Sequence, residues 1–190
     1  MGAAATASLT RRLFTPEEYL SLDRAADLRS EFYAGEIFAM AGGSHAHSVL
    51  IDNLTAGIRP AVRKRGCRTH PSTIRVGMNP RGGYFYPDLT VAREEPKLLG
   101  NDTLLNPVLV VEVSSRSTAR FDREIKLKEY QSVASMREVL LVSQDRQHIE
   151  VHSRQGKEWS ARTFTKSDGE IRIPYFDCAI TLAEIYDGVW

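Results

Sequence analysis

At 190 residues, with 42% apolar and 26% charged residues, the chain has the make-up of one soluble globular domain, which excludes a disordered or fibrous protein. A formal net charge of +1 excludes a uniformly basic surface, so any basic patch must be local. Cys67 and Cys178 lie far apart with no CxxC, which gives neither a disulfide framework nor a zinc signature, and no apolar run approaches the ~18 residues of a membrane span.

The N-terminal stretch MGAAATASLTRR lacks the charged-then-apolar layout of a secretory signal. Its MGxxxT pattern fits a myristoylation site formally, but an alanine-rich, frayed tail over residues 1–12 is the preferred reading. A single domain over residues 13–190, cytoplasmic and with no membrane partner, is then expected.

A helix starts at FTPEEYLSL, where Thr15 is a good N-cap, Pro16 suits the first turn and Glu18 completes a capping box. SEFYAGEIFAM reads as a hairpin turning near Ala34 and Gly35. In the stretch after Gly42, Val49, Leu50, Leu54, Ile58 and Val62 recur at helical spacing, with Gly66 as a stop. STIRVGMN alternates as a half-buried strand with Ile74, Val76 and Met78 inward. A turn at Gly82-Gly83 leads into YFYPDLTVAR as one strand, and a polar connection over residues 93–106 precedes the strand VLVVEVSS. A helix around RFDREIKLKEYQSVA follows, then a hairpin of EVLLVS and HIEVHS about residues 144–147. The strands WSARTFT and EIRIP and a terminal helix LAEIYD capped by Thr181 complete the chain. The alternation of strands and helices indicates an α/β fold with a mixed β-sheet and helices against it.

Glu112 stands inside the apolar run NPVLVVEVSS, where an ionised carboxylate is costly unless something pairs with it. Asp88, after Pro87, heads the preceding strand, and strands adjacent in sequence often neighbour each other. Two carboxylates at one buried spot are tolerated with a divalent cation between them, and Mg²⁺ suits few carboxylates, several waters and a phosphate. Asp122, Lys126 and Tyr130 are spaced i, i+4, i+8 on the next helix, so Lys126 lies on its apolar side. A lysine there orients a water or neutralises developing charge. It equally forms a structural salt bridge to Glu112; the spacing of Lys126 and Asp122 more commonly means an ordinary surface pair, and Asp88 taken alone reads rather as the start of a turn. Arg116, Arg120 and Arg123 beside the SSRST hydroxyls suit phosphate contacts. Arg63, Lys64 and Arg65, with Arg59 and Arg68, are read either as phosphate contacts or as cations placed at a helix C-terminus. His45 and His47 open the second helix, nearer to a capping or site-side role than to a metal site of their own.

At these residues the sequence resembles the PD-(D/E)XK nuclease superfamily, and within it the Uma-two family of restriction-endonuclease-like proteins. The matching segments are SEFYAGEI, GSHAHSVLIDNL, YPDLTVAR, NPVLVVEVSSRST, DREIKLKEYQSV, LLVSQDRQHIEVHSR and LAEIYDGV, from about Leu13 onward. The resemblance implies the restriction-endonuclease-like fold, a mixed β-sheet flanked by helices. It implies that Asp88 and Glu112, with the Val113 carbonyl, hold Mg²⁺ (or Mn²⁺), and that Glu31 is an accessory acid. The lysine expected two residues after the glutamate is replaced by Ser114, and the Uma-two pattern puts it on the following helix, at Lys126. Asp122 and Tyr130 then support that lysine. The implied reaction is in-line attack on a DNA phosphodiester by a metal-activated water, in a homodimer suited to two antiparallel strands.

Two other functions compete with a Mg²⁺-dependent endonuclease acting on DNA or another nucleic acid. One is a catalytically inactive nuclease-fold module that binds nucleic acid or a protein partner. The other is an ion-pair core beneath an unrelated surface function, which predicts no metal binding.

Overall fold

The structure, a computed structural model, describes residues 12–40, 42–78 and 82–190. The expected tail over residues 1–12, with its myristoylation pattern, lies outside these apart from Arg12. No helix among the described residues is long and apolar enough to cross a membrane.

Helix α1 (Pro16–Ala25) begins as its sequence predicts: the Thr15 hydroxyl accepts from the Glu18 N–H, and the Glu18 carboxylate accepts from the Thr15 N–H. Strands β1 (Ser30–Tyr33) and β2 (Glu36–Ala39) form the expected hairpin, with Ala34 and Gly35 both at positive φ (50° and 84°). Two consecutive positive φ values match the right-handed twist of a tight hairpin. Helix α2 (His45–Lys64) is capped by Ser44 and buries Leu50, Leu54, Ile58 and Val62 along one stripe. Gly66, at φ +61°, turns the chain out of it, as glycine does at no steric cost.

Four expectations need correction. A strand, β3 (Cys67–Pro71), follows α2 directly where none was foreseen. The half-buried strand expected in STIRVGMN shrinks to β4 (Arg75–Gly77), and its supposed outward residue, Arg75, is 1% exposed. Alternation cannot foresee this, because Arg75 is held inside by the Asp23 carboxylate, 2.6 Å away on α1. Next, YFYPDLTVAR is not one strand. It splits into β5 (Tyr84–Phe85) and β6 (Leu89–Arg93), which belong to different sheets. Pro87, with no N–H to donate, sits at the break. Lastly, the connection at 93–106 carries two short strands, β7 (Leu98–Leu99) and β8 (Thr103–Leu104).

The long apolar run becomes β9 (Pro107–Ser114), buried at every residue. An α-helical turn Ala119–Phe121, a π-helical segment Asp122–Lys126 and an α-helical segment Leu127–Ser132 then run on as one helix, α3. After α3 come β10 (Glu138–Ser143), β11 (His148–Gln155), β12 (Glu158–Thr165) and the hairpin β13 (Glu170–Ile173) and β14 (Cys178–Thr181). Helix α4 (Leu182–Ile185) closes the chain, with Thr181 and Glu184 in a capping box.

Among the described residues the central sheet runs β12-β11-β10-β9-β6-β3; β9 and β10 are parallel and the other pairs antiparallel, so it is mixed. A second sheet runs β2-β1-β5-β4-β8-β7. Because side chains alternate along a strand, β9 serves two cores. Leu109, Val111 and Val113 pack with the stripe of α2, while Val110 packs with Leu127, Tyr130 and Val133 of α3. Glu112 and Ser114 share the parity of Val110 and therefore face α3.

Candidate active site

Strands β9 and β6 set the centre. Their register pairs Leu89 with Val111, so Asp88, one step further, falls opposite Glu112 at the strand end. Asp88 Oδ2 accepts the Val113 N–H at 2.7 Å, and Asp88 Oδ1 lies 3.1 Å from His47 Nε2 on the first turn of α2. That hydrogen bond raises the His47 pKa, against the opposing effect of burial.

Lys126 reaches in from α3. Its Nζ lies 2.8 Å from Glu31 Oε1, 3.3 Å from Glu112 Oε1 and 3.7 Å from Asp122 Oδ1. Tyr130 donates a short hydrogen bond to the same Glu112 oxygen. Ser114, at the position where the superfamily pattern expects lysine, donates to Asp122 Oδ2 at 2.7 Å and so braces the carboxylate beside Lys126. The Tyr86 N–H holds Glu31 Oε1 at 3.0 Å, while the Tyr86 hydroxyl is fixed at 2.7 Å on Asp23. The π-helical turn spans Asp122 to Lys126, the residues the site uses, and such turns inside α-helices are frequent at functional positions.

Lys126, Glu112, Glu31 and Asp122 are all buried. Burial pushes the Glu112 carboxyl well above its ordinary range; Lys126 counteracts this, and Asp88, Asp122 and Glu31 add to it. Burial by itself would lower the Lys126 pKa, but the Glu112, Glu31 and Asp122 carboxylates outweigh it and raise it. Tyr130 is likewise raised by burial and by the acids around it. Three carboxyl groups thus face one ammonium, and Asp88 adds a fourth acid near Glu112.

The cluster is not sealed. It forms one wall of a cleft of about 480 Å³, which Asp88, His47, Ser115, Thr118 and Gln144 also line. Gln144 ties the rim together: its N–H donates to the Ser114 carbonyl at 3.1 Å, and its Oε1 accepts from the Ser44 hydroxyl at 3.1 Å.

The sequence-predicted residues Glu31, Asp88, Glu112, Val113, Ser114, Asp122, Lys126 and Tyr130 therefore meet in one place, with His47 bonded to Asp88. The predicted phosphate contacts do not join them. Arg116 is 92% exposed, 3.7 Å from Asp145, and Arg120 pairs on the surface with Glu124. Arg63 and Lys64 stand at the far end of α2, roughly 24 Å from His47 at 1.5 Å per residue. Arg59, Arg63 and Arg68 line a separate hollow beside Cys67. Sequence reasoning missed Tyr86, Gln144 and the buried Asp23–Arg75 pair. Tyr86 had a signal in its place two residues before Asp88; the others act across long stretches of chain and had none.

The donor chemistry suits a hard divalent cation. Asp88, Glu112 and the Val113 carbonyl offer oxygen donors, and Mg²⁺ uses one or two carboxylates while keeping waters. Burial, and after it the neighbouring acids Asp88, Asp122 and Glu31, disfavour an ionised Glu112, and a bound cation would relieve both. Among the described residues no three His, Cys, Asp or Glu side chains converge as a ready-made metal cage, so this fit rests on the two carboxylates and the carbonyl.

Comparison with known proteins bears on the family and the fold. The Uma2 family, described as "Putative restriction endonuclease", matches residues 16–183. The "Uncharacterized protein sll1609" of Synechocystis sp. (strain ATCC 27184 / PCC 6803 / Kazusa) is 32% identical over 169 residues, 87% of this chain and 96% of that protein. A second protein of that organism, slr1290, is 27% identical over 176 residues, 92% of each chain. A crystal structure titled as a putative nuclease belonging to DUF820 from Anabaena variabilis ATCC 29413 superposes with a TM-score of 0.73 at 18% identity. The match covers 93% of this chain and 99% of that one. This likeness shows the fold, the mixed α/β arrangement expected from the sequence.

Proposed function

This chain belongs to the Uma2 family of restriction-endonuclease-like proteins, and on that footing we propose that it is a divalent-metal-dependent nuclease hydrolysing phosphodiester bonds in DNA. One observation carries the reading. The buried Lys126 ammonium is held between Glu31 and Glu112 beside an open cleft, and acids outnumber bases there. An ion-pair core with no further task would be balanced and closed, because unneutralised buried charge is costly.

Asp88, Glu112 and the Val113 carbonyl would hold Mg²⁺ or Mn²⁺, which when bound polarises the phosphate and acidifies a coordinated water. The chain's own residues do the rest. Lys126, fixed by Glu31 and Asp122, presents a positive charge towards the cleft, where charge develops on the phosphate. His47 and the Val113 N–H hold the Asp88 carboxylate in one orientation, and Tyr130 does the same for Glu112. Ser114 braces Asp122, so that a lysine on the helix takes the place of one on the strand. We further propose that this chain acts in the cytoplasm and as a homodimer.

Incubation of purified protein with plasmid and single-stranded DNA, with and without Mg²⁺ or Mn²⁺, tests this beside Glu112→Ala and Lys126→Ala. Metal-dependent cleavage lost in both variants is the expected result. No cleavage by the wild type, or equal cleavage by the variants, overturns it; tight binding without cleavage points to the inactive nucleic-acid-binding module instead.

A further inference from the structure

The catalytic cleft does not end at its own rim. Ser115 lines both that cleft and a neighbouring hollow of about 310 Å³, whose walls include Arg116, Arg123, Arg146 and His148. Asp145 and Arg146 in turn border a third, more open depression that holds Lys166 and Trp190. The character of the surface reverses along this line, from an acidic floor to a basic shoulder.

Trp190 gives the shoulder its meaning. Its ring stacks on Tyr186 at 5.2 Å with planes 19° apart, and its indole N–H donates to the Gln144 carbonyl at 3.3 Å. It makes both contacts and is yet 67% exposed. Gln144 is the residue that also ties the cleft rim to Ser44 and Ser114, so the ring is coupled to the site through a single side chain and its backbone. Arg146 is close enough for its charge to act on the Tyr186 phenol beneath the ring. Arg123 is neutralised by Glu150 at 2.6 Å, and Arg116 is near Asp145, whereas among the described residues Arg146 and Lys166 form no ion pair.

An exposed aromatic held by a ring stack and a hydrogen bond, flanked by unpaired cations and continuous with a cleft, suits a strand whose bases are unpaired. Every base has a face to stack, and the backbone phosphates supply the charge. Bases inside a duplex have no free face to offer. We propose that the surface from Ser115 across Arg146 to Lys166 and Trp190 is a track for single-stranded nucleic acid, with one base stacked on Trp190 and phosphates on Arg146 and Lys166. This deepens the nuclease reading and rests on it only for the direction in which the strand enters the cleft.

The test is binding in EDTA, so that neither metal nor cleavage takes part. Fluorescein-labelled oligo(dT) and a duplex of equal length are titrated by anisotropy against wild type, Trp190→Ala, Trp190→Phe and Arg146→Ala/Lys166→Ala. The wild type is expected to bind the single strand more tightly than the duplex. Trp190→Ala is expected to lose about tenfold in affinity for it, while Trp190→Phe keeps most of it. The double variant is expected to lower the slope of log affinity against log salt by about 0.7 for each contact removed. Wild-type-like binding by Trp190→Ala, or a preference for duplex, overturns the proposal. The two readings fail separately: this pattern without metal-dependent cleavage sinks the nuclease and leaves the track, and cleavage without this pattern does the reverse.

Discussion

The ammonium of Lys126 sits 2.8 Å from the carboxylate of Glu31, a residue 95 positions earlier in the chain. Through it three elements meet: the β1 strand of the second sheet, helix α3, and Glu112 of the central sheet at 3.3 Å. Its side chain is only 8% exposed, so it is a structural tie as well as a candidate for chemistry.

Removing that charge should therefore destabilise the protein. Lys126→Met leaves Glu31 and Glu112 buried without a counter-charge, and urea denaturation is expected to show a loss of about 3–5 kcal/mol. Adding Glu112→Gln to Lys126→Met should recover part of it, since the two residues are coupled and their effects do not add. Additive losses would show that the pair does not interact.

Tyr130→Phe removes one hydroxyl and keeps the ring that packs edge-on against Phe85 at 5.9 Å. The hydrogen bond to Glu112 is made to a charged or strongly polarised carboxyl in a dry setting, so about 1.5–3 kcal/mol of stability should go with it. An unchanged denaturation midpoint would mean that Glu112 has another donor.

Divalent cations should stabilise the fold by mass action. At a hundred times its Kd a ligand adds about 2.7 kcal/mol, so Mn²⁺ should raise the Tm of the wild type. Asp88→Asn and Glu112→Gln should each abolish the rise. A Tm that climbs equally in both variants would place the cation elsewhere.

Acid should weaken the join between α1 and the second sheet. The Arg24 hydrogen bond, helped by Thr103 and Arg75, holds Asp102 down at about 2 against an ordinary 3.8. Asp23 is also lowered: burial would raise it, but hydrogen bonds from Tyr86, Arg75 and Ser30 win. A folded-state pKa below the unfolded one means stability that is present above about pH 4 and lost as pH falls towards about 2. Denaturation midpoints across that window should fall, and Asp102→Asn should flatten part of the fall. An identical pH profile in Asp102→Asn would remove that ion pair from the account.

The sequence by itself determined what local physics can carry. The capping box at Thr15 and Glu18, the stripe of α2 and the buried run of β9 are each written in a few neighbouring residues, and the structure has them where they were expected. The acidic pair was legible too, because a carboxylate in an apolar strand demands a partner, and the spacing of Asp122, Lys126 and Tyr130 offered one. Only the tertiary structure decided how the partners meet. The break at Pro87 sends Tyr84 and Phe85 to one sheet and Leu89 to another, leaving Asp88 at the boundary opposite Glu112. Arg75 is buried because Asp23, on a separate helix, is there to receive it. Trp190 meets Gln144 across 46 positions, and Glu31 meets Lys126 across 95. The physical reason is the same in each case: the free energy of a buried charge or a held ring depends on a partner brought close by packing, which sequence spacing does not record.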